Sequence, residues 1–187
     1  MPSPDDPGPS FRTLSSREVY RNPWITVRED EVELPDGSAG RYGVVDRPDF
    51  ALVIPREPDG SVWLVEQYRY AIGRRSWEFP QGTWPPGKDR GPIDELARAE
   101  LREETGIRAD TLRNLGHLYT AYGFCSQGYD VWLATGLHQG EAEREPTEQD
   151  MVQRLFTAEE LEAGIRTGEI FDSHSVAAYG LLKLLGI

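Results

Sequence analysis

Ala99-Glu100-Leu101-Arg102-Glu103-Glu104-Thr105-Gly106-Ile107 decides how this chain is read. On an α-helix, residues three and four apart share a face, so Glu100, Glu103 and Glu104 project together, and Gly106 stops the helix behind them. Three like charges this close repel unless cations join them. Hard carboxylate oxygens suit Mg²⁺ or Mn²⁺, ions that keep open water positions and accompany phosphate substrates. Taken alone, E-x-x-E-E more often describes a wet helix face, because Glu is a good helix former and charge runs usually only solvate a surface. Upstream context changes that balance. Trp77-Glu78-Phe79-Pro80-Gln81-Gly82 is an apolar strand broken by Pro and Gly, followed by a loop and then the acidic helix. Strand, glycine loop and acidic helix together point to a metal-phosphate site.

Composition bounds the rest. A chain of 187 residues with 38% hydrophobic content is long enough for one domain with a proper core behind an N-terminal extension. The net charge of -12 argues against nonspecific binding to a nucleic acid polymer. An acidic protein still binds phosphates where a divalent ion and a few Arg residues supply local positive charge. The single Cys125 excludes an intrachain disulfide framework and fits a reducing cytoplasm. No apolar run approaches membrane-spanning length, and Met1 to Ser10 lacks a signal-peptide core, so a cytoplasmic protein with no membrane partner is expected.

Residues 1 to about 15 read as a flexible tail. Ile25 to Leu34 and Arg41 to Asp46 flank the turn Pro35-Asp36-Gly37-Ser38 and predict an early β hairpin. Phe50 to Ile54 and Ser61 to Gln67 read as a second strand pair across Asp59-Gly60, with a short strand at Ser76 to Phe79. A helix is predicted from Pro92 to Thr105. Strands are predicted at Leu112 to Thr120, Tyr129 to Ala134 and Val152 to Phe156, with loops at Tyr122 to Gly128 and Gly140 to Asp150. Two amphipathic helices follow, Ala158 to Arg166 capped by Thr157 and Ser173 to Leu185 capped by Asp172 or Ser173. Mixed strands flanked by helices suit an α/β sandwich.

The acidic stretch resembles the Nudix hydrolase box, G-x5-E-x7-R-E-U-x-E-E-x-G-U with U a bulky aliphatic. Glu100, Leu101, Glu103, Glu104, Gly106 and Ile107 match its second half in order. The first half departs from it: Ala99 stands where the family has Arg, Gly91 where it has the first Glu, and Pro85 where it has the first Gly. If Gly82 is the loop glycine, three extra residues lie between Thr83 and Gly91. In that family the box Arg and first Glu support the loop rather than bind metal directly. Losing both is gentler than losing one, which would strand a lone charge. Asp89, Arg90, Asp94 or Arg98 are then the replacements to look for.

The resemblance covers about residues 17 to 185 and is greatest to the ADP-ribose and nucleoside diphosphate sugar pyrophosphatases. Asn22-Pro23-Trp24, Val65-Glu66-Gln67-Tyr68-Arg69-Tyr70, Trp77 to Gly82 and Gly168-Glu169-Ile170 carry it. It implies a Nudix-type α/β/α sandwich with a mixed sheet, divided into a tail at 1–15, an N-terminal β segment at 16–46 that dimerises, and a hydrolase domain at 47–187. The implied reaction is metal-dependent hydrolysis of the diphosphate in ADP-ribose or a related nucleotide sugar, giving a nucleoside monophosphate and a sugar phosphate. A homodimer using Mg²⁺, or Mn²⁺, is implied as well.

Carried over residue by residue, the resemblance makes Glu100 and Glu104 the principal metal ligands. Glu103 holds a metal or orients its water, and the Gln81 carbonyl is a further ligand. Arg69 is the diphosphate contact, Glu78 a strand-end acid and Trp24 a stacking residue for the base. Each has a plainer reading as surface strand Arg, edge residue or core Trp. Of Glu141, Glu143, Glu145 and Glu148 in the acidic loop, Glu148 is the expected general base because it directly precedes the next strand. Tyr122 stands where the ADP-ribose group usually has Pro and is reminiscent of dinucleoside polyphosphate hydrolases. That activity, and a sensor that binds without turnover, are the two rivals.

Overall fold

The computed structural model describes residues 10–87, 91–144 and 148–187; Asp89, Arg90 and Glu145 lie outside them. In chain order the elements are β1 (Arg12–Arg21), β2 (Thr26–Glu33), β3 (Ala39–Asp46), β4 (Phe50–Pro55), β5 (Val62–Arg69), β6 (Arg74–Glu78), β7 (Gln81–Gly82), α1 (Ile93–Thr105), β8 (Arg108–Tyr119), β9 (Gly128–His138), β10 (Val152–Phe156), α2 (Ala158–Thr167) and α3 (Ser173–Leu184). They fall into two units. One contains β1 to β3 with Tyr119–Gln127; the other begins at Asp49 and holds the remaining elements.

The second unit is organised around β4, whose residues are all buried. A strand covered on both faces reads as a continuous apolar run, here Phe-Ala-Leu-Val-Ile, rather than as alternation. Phe50, Leu52 and Ile54 pack with Phe79, Leu161, Tyr179 and Leu182 on the face covered by α2 and α3. Ala51 and Val53 pack with Leu96, Ala97, Leu101 and Ile107 on the α1 face. The α/β/α arrangement follows directly. The sheet is mixed, in the order β7-β4-β9-β8, with β4 parallel to β9 and antiparallel to β7.

The expected pairing of Phe50–Ile54 with Ser61–Gln67 does not form. Only the bridge Arg56↔Val62 joins them, and β5 belongs to a separate sheet, β10-β5-β6. The Asp59-Gly60 turn is real, with Ser61 N donating to Asp59 Oδ1 at 2.9 Å. The chain leaves it for another sheet because β4 is already paired on both sides, by β7 and β9.

The helix termini follow local chemistry. Gly106 closes α1 in the left-handed conformation at φ 75°, its N–H bonded to Arg102 O. Thr157 and Glu160 form a reciprocal capping box on α2, and Asp172 caps α3. Each such cap contributes about 1 kcal/mol. Among the described residues no helix is long and apolar enough to cross a membrane.

In the first unit the β2–β3 hairpin forms as expected, but β1 joins it as a third antiparallel strand. Strand structure therefore begins at Arg12, inside the stretch read from sequence as tail. All of β1 is exposed, including Leu14, Val19 and Tyr20. The segment Tyr119–Gln127 is anchored on β3 through Val45 N to Phe124 O at 2.8 Å and Ser126 N to Val45 O at 3.0 Å.

Candidate active site

The site grows from the break between β6 and β7. Glu78 ends β6, Pro80 interrupts it, and Gln81-Gly82 resume pairing against Leu52 and Ala51 of β4. The break is pinned on both sides: Val53 N donates to Pro80 O at 2.9 Å, and Phe79 N donates to Ser175 Oγ at 2.8 Å. Ser175 Oγ in turn donates to Asp172 Oδ2 at 2.7 Å. Gln81 is thus held where three acids meet. Its N–H donates to Glu104 Oε2 at 3.3 Å, while its side-chain amide donates to Glu78 Oε2 at 3.3 Å and Asp172 Oδ2 at 3.2 Å.

Helical spacing brings Glu100 and Glu104 to the same place, and both are buried. Glu100 lies directly over Gly82: a Cβ on Gly82 would sit 2.4 Å from Glu100 Oε2. This close approach, not a special backbone angle, favours glycine there, because any Cβ would displace the Glu100 carboxylate. Burial, then the charges of Glu100, Glu148 and Glu78, push the Glu104 carboxyl well above the usual carboxylate range. Glu78 is pushed to about 7 by burial, with Arg69 opposing and Asp172 reinforcing. Asp172 goes the other way. Burial would raise it, but hydrogen bonds from His174 and Ser175 outweigh that and hold it well below its ordinary value.

The structure thus brings together Glu78, Gln81, Glu100, Glu104 and, by its charge, Glu148, which lies in the turn before β10. Arg69 is beside them but committed. Its guanidinium meets both oxygens of Glu78, at 2.6 and 3.1 Å, although its side chain stays 40% exposed. Glu103 points elsewhere, half-buried and paired with Arg102 at 2.9 Å. Trp24 and Tyr122 belong to the first unit; Trp24 is half-exposed on a turn in which Asn22 Oδ1 accepts from Trp24 N and Ile25 N, both at 2.8 Å, and Tyr122 is 82% exposed in a loop. Of the residues considered to replace the missing box Glu and Arg, Asp94 is exposed and Arg98 donates to Ala109 O at 3.1 Å, so neither enters the cluster.

Two site residues escaped the sequence reading. Asp172 was legible only as a helix cap, yet the same carboxylate orients Gln81. Arg144 donates from Nε to Glu104 O at 3.1 Å and also bonds Met151 O, tying the acidic loop to the end of α1. A lone Arg between Glu143 and Glu145 was the available signal.

A divalent cation fits this chemistry. Glu78, Glu100 and Glu148 each act by charge on the buried Glu104, every donor is a hard oxygen, and glycine at 82 leaves Glu100 its place. Among the described residues no three acids or imidazoles already converge as a cage. The present pairings explain this, since Glu103 is held by Arg102 and Glu78 by Arg69.

A pH prediction follows. The Glu78 carboxyl is raised from 4.5 to about 7, so it favours folding when protonated. Metal-free stability should therefore fall as pH rises through that window, by on the order of 3 kcal/mol, and remain low above it. A bound cation reverses the preference. Thermal melts should show a larger Mg²⁺-dependent rise in Tm at about pH 8 than at about pH 6; equal rises would refute the coupling.

The chain is similar in sequence and in fold to known proteins. A model described as the NUDIX domain matches residues 46–178, and one described as the nucleoside diphosphate sugar hydrolase N-terminal domain matches residues 11–45. An ADP-ribose pyrophosphatase of Mycobacterium tuberculosis is 33% identical over 168 residues, covering 89% of this chain and 80% of that protein. One from Bacillus subtilis is 28% identical over 174 residues, covering 92% of both. A crystal structure of an ADP compounds hydrolase superposes with a TM-score of 0.81 at 21% identity, covering 95% of this chain and 94% of the other, and thus shares the fold.

Proposed function

The chain belongs to the Nudix family, and from that premise we propose that it hydrolyses the diphosphate of ADP-ribose or a related nucleoside diphosphate sugar, releasing a nucleoside monophosphate and a sugar phosphate. The observation that carries this reading is the buried convergence of Glu78, Gln81, Glu100 and Glu104, with Glu148 acting on Glu104. The named activities of the similar proteins support the substrate class.

Glu100, Glu104 and, once released from Arg102, Glu103 are the residues that would hold Mg²⁺ or Mn²⁺, with the Gln81 carbonyl as a further donor. When bound, the ion neutralises diphosphate oxygens and lowers the pKa of water. Glu148, in the turn that Arg144 ties to α1, serves as the general base. Arg69 opposes the effect of burial on Glu78, whose pKa is nonetheless raised, while the exposed edge of Arg69 faces the substrate phosphates. Gln81 and Asp172 fix the strand break, so the reacting groups are held without reorganisation.

Trp24 and Tyr122 are proposed as base-binding aromatics. The fully exposed β1, with its apolar side chains, is proposed as the homodimer surface, and sedimentation with and without residues 1–46 tests it: the same number of chains per particle in both removes the idea. The single cysteine fits a cytoplasmic location within the same proposal.

The experiment is a substrate panel of nucleoside diphosphate sugars and dinucleoside polyphosphates with Mg²⁺ or Mn²⁺. AMP release from ADP-ribose is the expected result. Preference for the longer polyphosphates would favour the rival hydrolase suggested by Tyr122. Ligand-induced stabilisation without turnover of any compound would favour a sensor.

A further inference from the structure

On its reverse side, α1 carries a second feature. Arg98 and Arg102, four residues apart, share a helix face turned away from Glu100 and Glu104. Together with Arg108 at the start of β8 they line a cavity of about 300 Å³, whose remaining walls are Leu101, Ile107 and Ala109. That volume is at the lower end of small-molecule pockets. Among the described residues no acidic one lines it, although the chain carries a net charge of -12. Leu101 and Ile107 are each 1% exposed and belong to the core, so the floor is rigid.

The guanidinium groups are incompletely satisfied. Arg102 Nε is buried without a hydrogen-bond partner, the Glu143 carboxylate standing 3.7 Å away. Arg98 uses one nitrogen on Ala109 O. Arg108 is exposed and makes no ion pair among the described residues. A buried Nε–H without a hydrogen bond, on a guanidinium ion-paired to Glu103 and Glu143, beside two further cations and an apolar floor suits a compact multivalent oxyanion. Guanidinium matches phosphate through paired, charge-assisted hydrogen bonds.

We propose that this cavity is a regulatory site for a phosphate group, free or carried on a small ester, and that Arg102 transmits its occupancy to the catalytic face. Arg102 now holds Glu103 Oε1 at 2.9 Å. A phosphate in the cavity competes for that guanidinium, and as Arg102 turns to the anion, Glu103 is released toward the metal. Anion and metal therefore bind with positive coupling, each raising the affinity of the other by the same factor. The coupling, though not the anion site itself, rests on Glu103 being a metal ligand as proposed above.

Isothermal titration of the full chain tests both parts. Inorganic phosphate and AMP are titrated separately in EDTA into the wild type, Glu104→Gln, and the Arg98→Ala/Arg108→Ala double variant; both arginines are exposed. The expected result is binding by the wild type and Glu104→Gln, with at least a roughly tenfold loss in the double variant, the cost of one charge-assisted contact. Arg108→Glu gives the same loss with one substitution. Binding of both probes identifies phosphate itself as sufficient, whereas binding of AMP alone identifies the ester. No binding of either probe to the wild type, or equal affinity in the arginine variants, overturns the site. Titrating Mg²⁺ with the winning probe present should then show severalfold tighter metal binding in the wild type and no change in the double variant. Unchanged Mg²⁺ affinity in the wild type overturns the coupling. A protein inactive on every substrate, yet binding phosphate at these arginines, would fail the functional proposal and keep the site.

Discussion

Glu104→Gln is expected to abolish diphosphate hydrolysis while raising the melting temperature of the metal-free protein. The two effects have one origin. Glu104 is fully buried, and burial together with Glu100, Glu148 and Glu78 penalises its charge. Gln has nearly the same shape, keeps an oxygen for the Gln81 N–H, and carries no charge to repel its neighbours. Removing the charge also removes the donor on which a divalent cation depends. If that ion supplies several kcal/mol of transition-state stabilisation, kcat should fall roughly 10³-fold. Calorimetry should show Mg²⁺ affinity falling in parallel, and the melting temperature in EDTA should rise by a few degrees. Opposite signs in activity and stability distinguish a ligand from a structural acid. Full activity in the variant would sink the metal assignment, and a large drop in metal-free stability would recast Glu104 as a fold residue.

What the sequence disclosed about this site depended on how local each signal is. The face shared by Glu100 and Glu104 follows from helical period, and the stop at Gly106 from its left-handed φ of 75°. The hairpin across Asp36-Gly37 and the cap at Thr157 are equally local. Asp172 reached Gln81 across 91 positions, which no nearby pattern announces. β4 was paired with its neighbour in sequence because a strand buried on both faces loses the alternation that reveals its partner, and its true parallel partner, β9, lies far along the chain. β1 was partly lost in the tail because every residue of it is exposed, so no apolar period marks it. Arg69 and Glu103 stand out in the sequence as site candidates, but that their side chains are engaged by Glu78 and Arg102 is a matter of tertiary electrostatics.

Gly82→Ala is the sharper test of how the altered box still works. The added Cβ would lie 2.4 to 2.6 Å from the Glu100 carboxylate atoms, well inside van der Waals contact. Relief is available, because those atoms end a flexible side chain and Gly82 sits in a regular strand pair with Ala51. Glu100 therefore swings aside and the backbone stays. The damage falls on metal binding: a displaced ligand should weaken Mg²⁺ affinity and kcat/KM by roughly 10 to 100-fold, while the metal-free melting temperature moves little. Gly106→Ala is the contrasting case. There the Cβ meets the Gly140 carbonyl oxygen at 2.3 Å, and the residue is left-handed as well, so neither clash nor backbone can be relieved by a side chain. It should cost at least about 2 kcal/mol of stability. Should Gly82→Ala instead melt early like Gly106→Ala, with its residual folded fraction fully active, the glycine supports the fold and the carboxylate above it does not define the metal site.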